Sequence, residues 1–138
     1  MDLTTRRSVP LLAGLMLLAM ALLTLHVPAQ AAPRTDTGFF AGKVVNQANG
    51  KPVKGVLVRV FRINTDTLLG QDKTGSLGRF RIDGLDPVQD EELDVRVNGR
   101  AVGYESGWVG CNHRVVQSWG AACSYGQGRQ TPFFIQHL

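Results

Sequence analysis

The chain has 138 residues, a formal net charge of +4 and two cysteines. Its basic residues are interspersed with acidic ones, and no basic run exceeds two residues. Nucleic-acid-binding proteins cluster their positive charge, so this distribution predicts no nucleic-acid partner.

Residues 1–31 have the pattern of a secretory signal peptide. Two arginines precede an almost wholly apolar stretch at 11–25, and Ala29-Gln30-Ala31 supplies the small residues of a cleavage site. The apolar stretch is shorter than the roughly 20 residues of a membrane-spanning helix, which favours removal of a helical leader over a stable membrane anchor. We therefore predict an exported protein, periplasmic or secreted.

The rest of the chain is predicted to form a short lead-in and one domain. Residues 32–38 combine proline, threonine, aspartate and glycine without periodicity, which predicts a flexible lead-in. Residues 39–138 show short alternating segments separated by Gly, Asn and Pro turns, and no long window with helical periodicity. This pattern predicts an all-β domain, a small antiparallel β-sandwich.

The first two strand-like segments lie at 39–46 and 53–64. Between them, Asn49-Gly50 is a strong reversal signal, because both residue types tolerate the positive φ of a tight hairpin. In the second segment, alternate valines are predicted to face the core: Val56, Val58 and Val60.

The stretch GRFRIDGL, residues 78–85, alternates apolar and basic residues. Phe80 and Ile82 are predicted to face the core, which places Arg79 and Arg81 on the other side of the strand. The two arginines form either a site for an acidic ligand or the solvated face of a scaffold strand. Because the apolar pair suffices to fill a core, we favour the solvated face.

Residues 88–97 form the next alternating segment. One face is predicted to be buried and carries Leu93, Val95 and Val97. The opposite, solvated face carries Glu92, Asp94 and Arg96.

These segments resemble the carboxypeptidase regulatory-like domain, of the transthyretin-like or carbohydrate-binding-like fold group. The resemblance rests on GKVVNQANGKPVKGVLVRV, GRFRIDGLDP and LDVRVNG and covers roughly residues 40–99. It implies a Greek-key sandwich that serves as an accessory, spacer, adhesive or sugar-contacting module. It implies nothing specific about an activity.

Two cysteines, Cys111 and Cys123, are predicted to form a disulfide that closes a short loop, since an exported chain meets an oxidising compartment. The alternative is metal ligation. A zinc site with two cysteines needs a close pair of histidines, whereas His113 and His137 are far apart in the sequence. We therefore predict no metal and no cofactor.

A catalytic role would depend on His113 as the base for a nearby hydroxyl. The candidate nucleophiles are Ser106, Ser118 and Ser124, and none of them lies in a G-x-S-x-G motif. The sequence therefore favours a non-catalytic protein over a small hydrolase that uses His113.

Residues 103–128 contain every tryptophan and tyrosine of the chain: Tyr104, Trp108, Trp119 and Tyr125. These aromatic side chains either pack a small core or form a binding surface for a sugar or a protein. The leading hypothesis is a carbohydrate-binding or accessory structural module with a polysaccharide partner. The alternative is a protein–protein interaction module for adhesion or assembly, in which an exposed sheet edge pairs with the partner.

Overall fold

The computed structural model describes residues 37–138, which form two packed β-sheets and no α-helix. The predicted all-β sandwich is confirmed. The predicted signal peptide, 1–31, and most of the predicted lead-in lie outside the described residues. Within the described part, no helix is long and apolar enough to cross a membrane.

The strands are short and follow one another closely along the chain. Their bounds are β1 Gly38–Asn46, β2 Leu57–Arg62, β3 Leu68–Lys73, β4 Arg79–Leu85, β5 Glu92–Asn98, β6 Ser106–Val109, β7 Val115–Val116, β8 Ser124–Gly126, β9 Gly128–Arg129 and β10 Phe133–Ile135. Two 3₁₀ turns, Arg100–Val102 and Trp119–Ala121, flank the β6–β7 region.

The strands divide into a four-stranded and a six-stranded sheet. The four-stranded sheet has the order β10-β1-β4, with β9 also paired to β1. The six-stranded sheet has the order β3-β2-β5-β6-β7, with β8 also paired to β5. Most pairs are antiparallel, as expected, but β1 pairs in parallel with both β9 and β10. Parallel pairs need a long crossover connection, and here the whole six-stranded sheet lies between β1 and β9 in the sequence.

Alternating apolar side chains from both sheets fill the core. The valines predicted to face inward, Val56, Val58 and Val60, are fully buried. From the other sheet, the rings of Phe40, Phe80 and Phe133 lie with their centroids 5.9 to 6.3 Å apart. Each such side chain contributes about 1.5–3 kcal/mol by leaving water.

Strand β4 shows the predicted alternation. Phe80 and Ile82 each retain 4% exposure, whereas Arg79 and Arg81 are exposed on the outer face of the four-stranded sheet. Both arginines therefore lie on the solvent-facing side of the strand, as predicted.

The turn at Asn49-Gly50 closes a short hairpin, in which Val45 and Pro52 form an antiparallel bridge. Gly50 has φ +67°, and its N–H donates to the carbonyl of Asn46 at 2.8 Å, so the chain does reverse there. However, β1 pairs with β4 in one sheet and β2 pairs with β3 and β5 in the other. The chain crosses between the sheets after this turn because Val53 and Val56 are buried in the core.

Candidate functional site

Trp108 and Trp119 are the two predicted site residues that share a surface. Both lie at the outer face of the six-stranded sheet, Trp108 on β6 and Trp119 in the 3₁₀ turn before β8. Tyr104 and Tyr125 lie elsewhere in the fold. The four aromatic residues therefore do not form one surface.

Tyr125 belongs to the core, so the prediction that it forms part of a binding surface is wrong. It retains 8% exposure, and its hydroxyl donates to the carbonyl of Gly110. Strand β8 places it opposite the buried Leu93 of β5, and both side chains point inward. Burial raises the pKa of the Tyr125 phenol above its usual range.

Tyr104 is half-buried and packs beside His137. Its ring meets the ring of His137 edge-on, with centroids 4.9 Å apart. Its hydroxyl accepts a hydrogen bond from Nδ2 of Asn46 at 3.3 Å. These contacts tie the chain terminus to the end of β1.

Three aromatic and two basic side chains form what we call the aromatic face: Phe61, Trp108, Trp119, Arg59 and Arg96. Strand register brings four of them together, because Arg96 lies opposite both Arg59 and Trp108, and Phe61 lies opposite Asp94. Trp119 joins them through its hydrogen bond to Asp94. The rings of Phe61 and Trp108 have centroids 5.4 Å apart. The guanidinium carbon of Arg96 lies 5.6 Å from the centroid of Trp108, within the range of a cation–π contact.

Asp94 holds Trp119 in place. Its Oδ2 accepts a hydrogen bond from Nε1 of Trp119 at 3.0 Å and another from the backbone N–H of Asn64 at 3.2 Å. Alternation predicts a solvated Asp94, and this is wrong, since the residue retains 5% exposure. The two donors replace water around its carboxylate.

Trp119 itself remains accessible to a ligand. The residue is 48% exposed. A ring whose N–H is already bonded loses little freedom when one of its faces is covered.

Two shallow depressions flank the aromatic face. One, of about 300 Å³, lies beside Trp119 and includes Asn64, Asp94 and Ser124. The other, of about 200 Å³, lies beside Trp108 and includes Gln117. The surface is open and lacks a deep cleft at either tryptophan.

The predicted disulfide between Cys111 and Cys123 is confirmed, with a Cα–Cα distance of 4.9 Å. It closes the loop that carries Trp119. A disulfide is typical of proteins that fold in an oxidising compartment.

His113 lies near one hydroxyl, that of Thr131, whose Oγ1 is 3.1 Å from both ring nitrogens. The imidazole packs against the rings of Tyr125 and Phe133. Two of the candidate nucleophiles, Ser106 and Ser124, donate their hydroxyls to other side chains. Within residues 37–138, no carboxylate bonds to the imidazole, and no group of three metal-binding side chains occurs.

Phe61 is the one aromatic side chain of this face that was not predicted as a candidate binding residue. Its sequence signal is present, because alternation puts it on the side of β2 opposite Val58 and Val60. Its contact with Trp108 could not be predicted, because Trp108 lies on a strand more than forty residues later in the chain.

No protein-family model and no curated protein matches this chain. Among solved structures, a streptococcal ancillary pilin is 14% identical to it, with a TM-score of 0.49 and coverage of 74% of this chain and 30% of the pilin. A 9R-lipoxygenase from Cyanothece PCC8801 is also 14% identical, with a TM-score of 0.45 and coverage of 86% of this chain and 19% of the lipoxygenase.

This chain therefore spans less than a third of the length of either solved structure. Both TM-scores are below 0.5, so neither likeness informs what this chain binds or does.

Proposed function

We propose that this protein is a non-catalytic, exported interaction module that binds another protein through its aromatic face. One observation carries the proposal: Phe61, Trp108 and Trp119 lie together with two arginines on an open sheet face. Tryptophan and arginine dominate the energetics of protein–protein interfaces.

The chemistry of the aromatic face indicates the kind of partner. Arg59 and Arg96 lie directly opposite one another on neighbouring strands, and like charges in this position destabilise a sheet. Carboxylates on a partner protein would relieve this repulsion, while its apolar side chains cover Trp119 and Trp108. The partner is therefore a protein with an acidic, partly apolar surface.

Rigidity supports the same proposal. Asp94 and the Cys111–Cys123 disulfide hold the segment that carries Trp119. A surface that is already ordered loses less conformational entropy on association, so more of its contact energy appears as affinity.

A carbohydrate ligand is the second candidate. The depression of about 300 Å³ places the half-exposed Trp119 beside the polar groups of Asp94, Asn64 and Ser124. An aromatic platform with polar neighbours suits the C–H face of a sugar. The resemblance of residues 40–99 to carboxypeptidase regulatory-like domains supports this candidate, and the same resemblance supports a structural role.

Site-specific photo-cross-linking in the natural host tests the proposal. A photo-reactive amino acid at Gln71, which contacts Arg59 on the aromatic face, is expected to give a defined protein adduct. The same amino acid at Lys54, which is exposed elsewhere, is the control and is expected to give none.

The captured protein is then purified and titrated against variants of the exported chain. Trp119→Ala is expected to weaken binding about tenfold or more. The matched control Leu77→Ala, another exposed apolar residue, is expected to leave affinity unchanged. If no adduct forms and Trp119→Ala instead abolishes retention on insoluble polysaccharide, the ligand is a carbohydrate. If neither readout depends on Trp119, the aromatic face is not a binding site.

A further inference from the structure

The outer face of the four-stranded sheet carries a second feature, which we call the basic cleft. It has a volume of about 480 Å³ and is larger than either depression beside the aromatic face. Its polar lining consists of Lys43 from β1, Arg79 and Arg81 from β4, Arg129 from β9, and Asp72 and Gln130. Four of these six side chains are basic.

Strand register explains why the basic residues converge. Lys43 lies directly opposite Arg79, and Ala41 lies between Arg81 and Arg129. Side chains in register across neighbouring strands project from the same face of a sheet. Ala41 contributes only a methyl group to the lining between the two flanking arginines, and it is buried.

The acidic residues near the basic cleft already have partners. Asp83 pairs with Arg81, whose Nη2 lies 2.8 Å from Oδ1 of the carboxylate. Oδ2 of Asp72 accepts a hydrogen bond from the backbone N–H of Arg81 at 2.8 Å. Its Oδ1 accepts one from the backbone N–H of Lys73 at 2.7 Å. Asp72 therefore stabilises the edge of β4 and is not paired with a basic side chain.

Three basic side chains of the cleft form no ion pair within residues 37–138: Lys43, Arg79 and Arg129. The direct opposition of Lys43 and Arg79 costs stability, since like charges repel across a strand pair. A bound anion would remove this repulsion. The forked guanidinium donors match the geometry of oxyanions, which they bind in bidentate fashion.

We propose that the basic cleft binds a compact oxyanion ligand with two or more negative charges. Its volume is within the range of about 300–1,000 Å³ typical of small-ligand sites. The shared chemistry is a set of phosphate, sulfate or carboxylate oxygens facing Arg79 and Arg129. Such a ligand is either a free small anion or consecutive acidic units of a saccharide. The cleft shares no lining residue with the aromatic face.

Calorimetric titration at physiological salt tests the basic cleft, with the protein purified after export. The two probes are inorganic pyrophosphate, a free anion, and an oligosaccharide of four uronic acids. The test variant is Arg79→Gln/Arg129→Gln, and the matched control is Lys54→Gln/Arg100→Gln. The control removes the same charge from exposed positions outside the cleft.

Wild type and the control variant are expected to bind at least one probe, with affinities within about twofold of each other. The test variant is expected to bind that probe at least about tenfold more weakly. Binding of pyrophosphate alone identifies a free anion as the ligand, and binding of the uronate alone identifies a saccharide. Equal weakening in test and control variants means general charge attraction and refutes the site, as does no binding of either probe.

A variant that keeps every charge separates shape from electrostatics. Ala41→Val places a larger side chain between Arg81 and Arg129 and suits a strand, so the fold is expected to persist. If the cleft is the site, this variant binds about tenfold more weakly, while its urea unfolding midpoint stays near that of wild type. Wild-type affinity in Ala41→Val would overturn the proposal.

Discussion

Asp94 connects three parts of the chain through one carboxylate. It projects from β5, bonds to the indole of Trp119, and accepts the N–H of Asn64, which has a left-handed backbone with φ +57°. The residue thus stabilises both the turn after β2 and the orientation of a tryptophan on the aromatic face. The aromatic face and a local backbone conformation depend on the same side chain.

Replacing this carboxylate is expected to affect stability and the tryptophan together. Asp94→Ala leaves two donors without their acceptor, which lowers the free energy of unfolding by about 2 kcal/mol. Urea unfolding gives the stability, and iodide quenching of fluorescence is expected to show a more accessible Trp119. Glu92→Ala, an exposed change on the same strand, is the control and is expected to cost less than about 0.5 kcal/mol. Unchanged stability in Asp94→Ala would contradict this role.

The connection between β3 and β4 passes the chain from one sheet to the other. Its last residue, Gly78, has φ +68°, and its carbonyl accepts the N–H of Val44 in β1 at 2.8 Å. A Cβ at this position would collide with the carbonyl of Val44. The close approach sets the position at which β4 begins to pair with β1, and therefore the register that places Arg79 opposite Lys43.

Comparing two glycines with positive φ separates the energetic cost of this close approach from the cost of backbone strain. Gly84 has φ +83°, and a Cβ added there would have no atom within 4 Å. Gly84→Ala is therefore expected to lower the free energy of unfolding by about 1–2 kcal/mol from backbone strain alone. Gly78→Ala carries the same strain and also displaces the hydrogen bond from the N–H of Val44 to the carbonyl of residue 78. We therefore expect it to lower the free energy of unfolding by about 3 kcal/mol. Chemical denaturation measures both, and equal costs would show that the close approach does not matter.

At the scale of the whole molecule, covalent and topological constraints act on the second half of the chain. β6 through β10 are two to four residues long, so their pairing alone stabilises them weakly. The Cys111–Cys123 disulfide joins the end of β6 to the start of β8 and encloses β7 and Trp119. It restricts the unfolded chain over the segment with the least regular structure.

Removing the disulfide is expected to destabilise the whole domain. Cys111→Ser/Cys123→Ser lowers the free energy of unfolding by about 3 kcal/mol, the value for a loop of this size. Urea unfolding of the variant and of reduced wild type should coincide, because both lack the same cross-link. If reduction leaves the unfolding midpoint of wild type unchanged, the disulfide does not contribute to stability.

Most of the core could be predicted from alternation, which needs only neighbouring residues. Val56, Val58 and Val60 follow it, and so do Phe80 and Ile82. Other residues could not be placed in this way. Asp94 is buried although its strand position predicts exposure, because a tryptophan from a distant loop covers it. The Asn49-Gly50 turn occurs as predicted, but which strands it separates depends on sheet pairing.

The period-two pattern of apolar residues was sufficient to establish an all-β sandwich, since each strand has to bury one face regardless of its neighbours. The two candidate binding surfaces arise only from folding. Phe61 meets Trp108, and Ala41 comes to lie between Arg81 and Arg129, through pairing of strands far apart in the chain. Strand pairing decides which outward side chains become neighbours, and that choice is not encoded in any one segment.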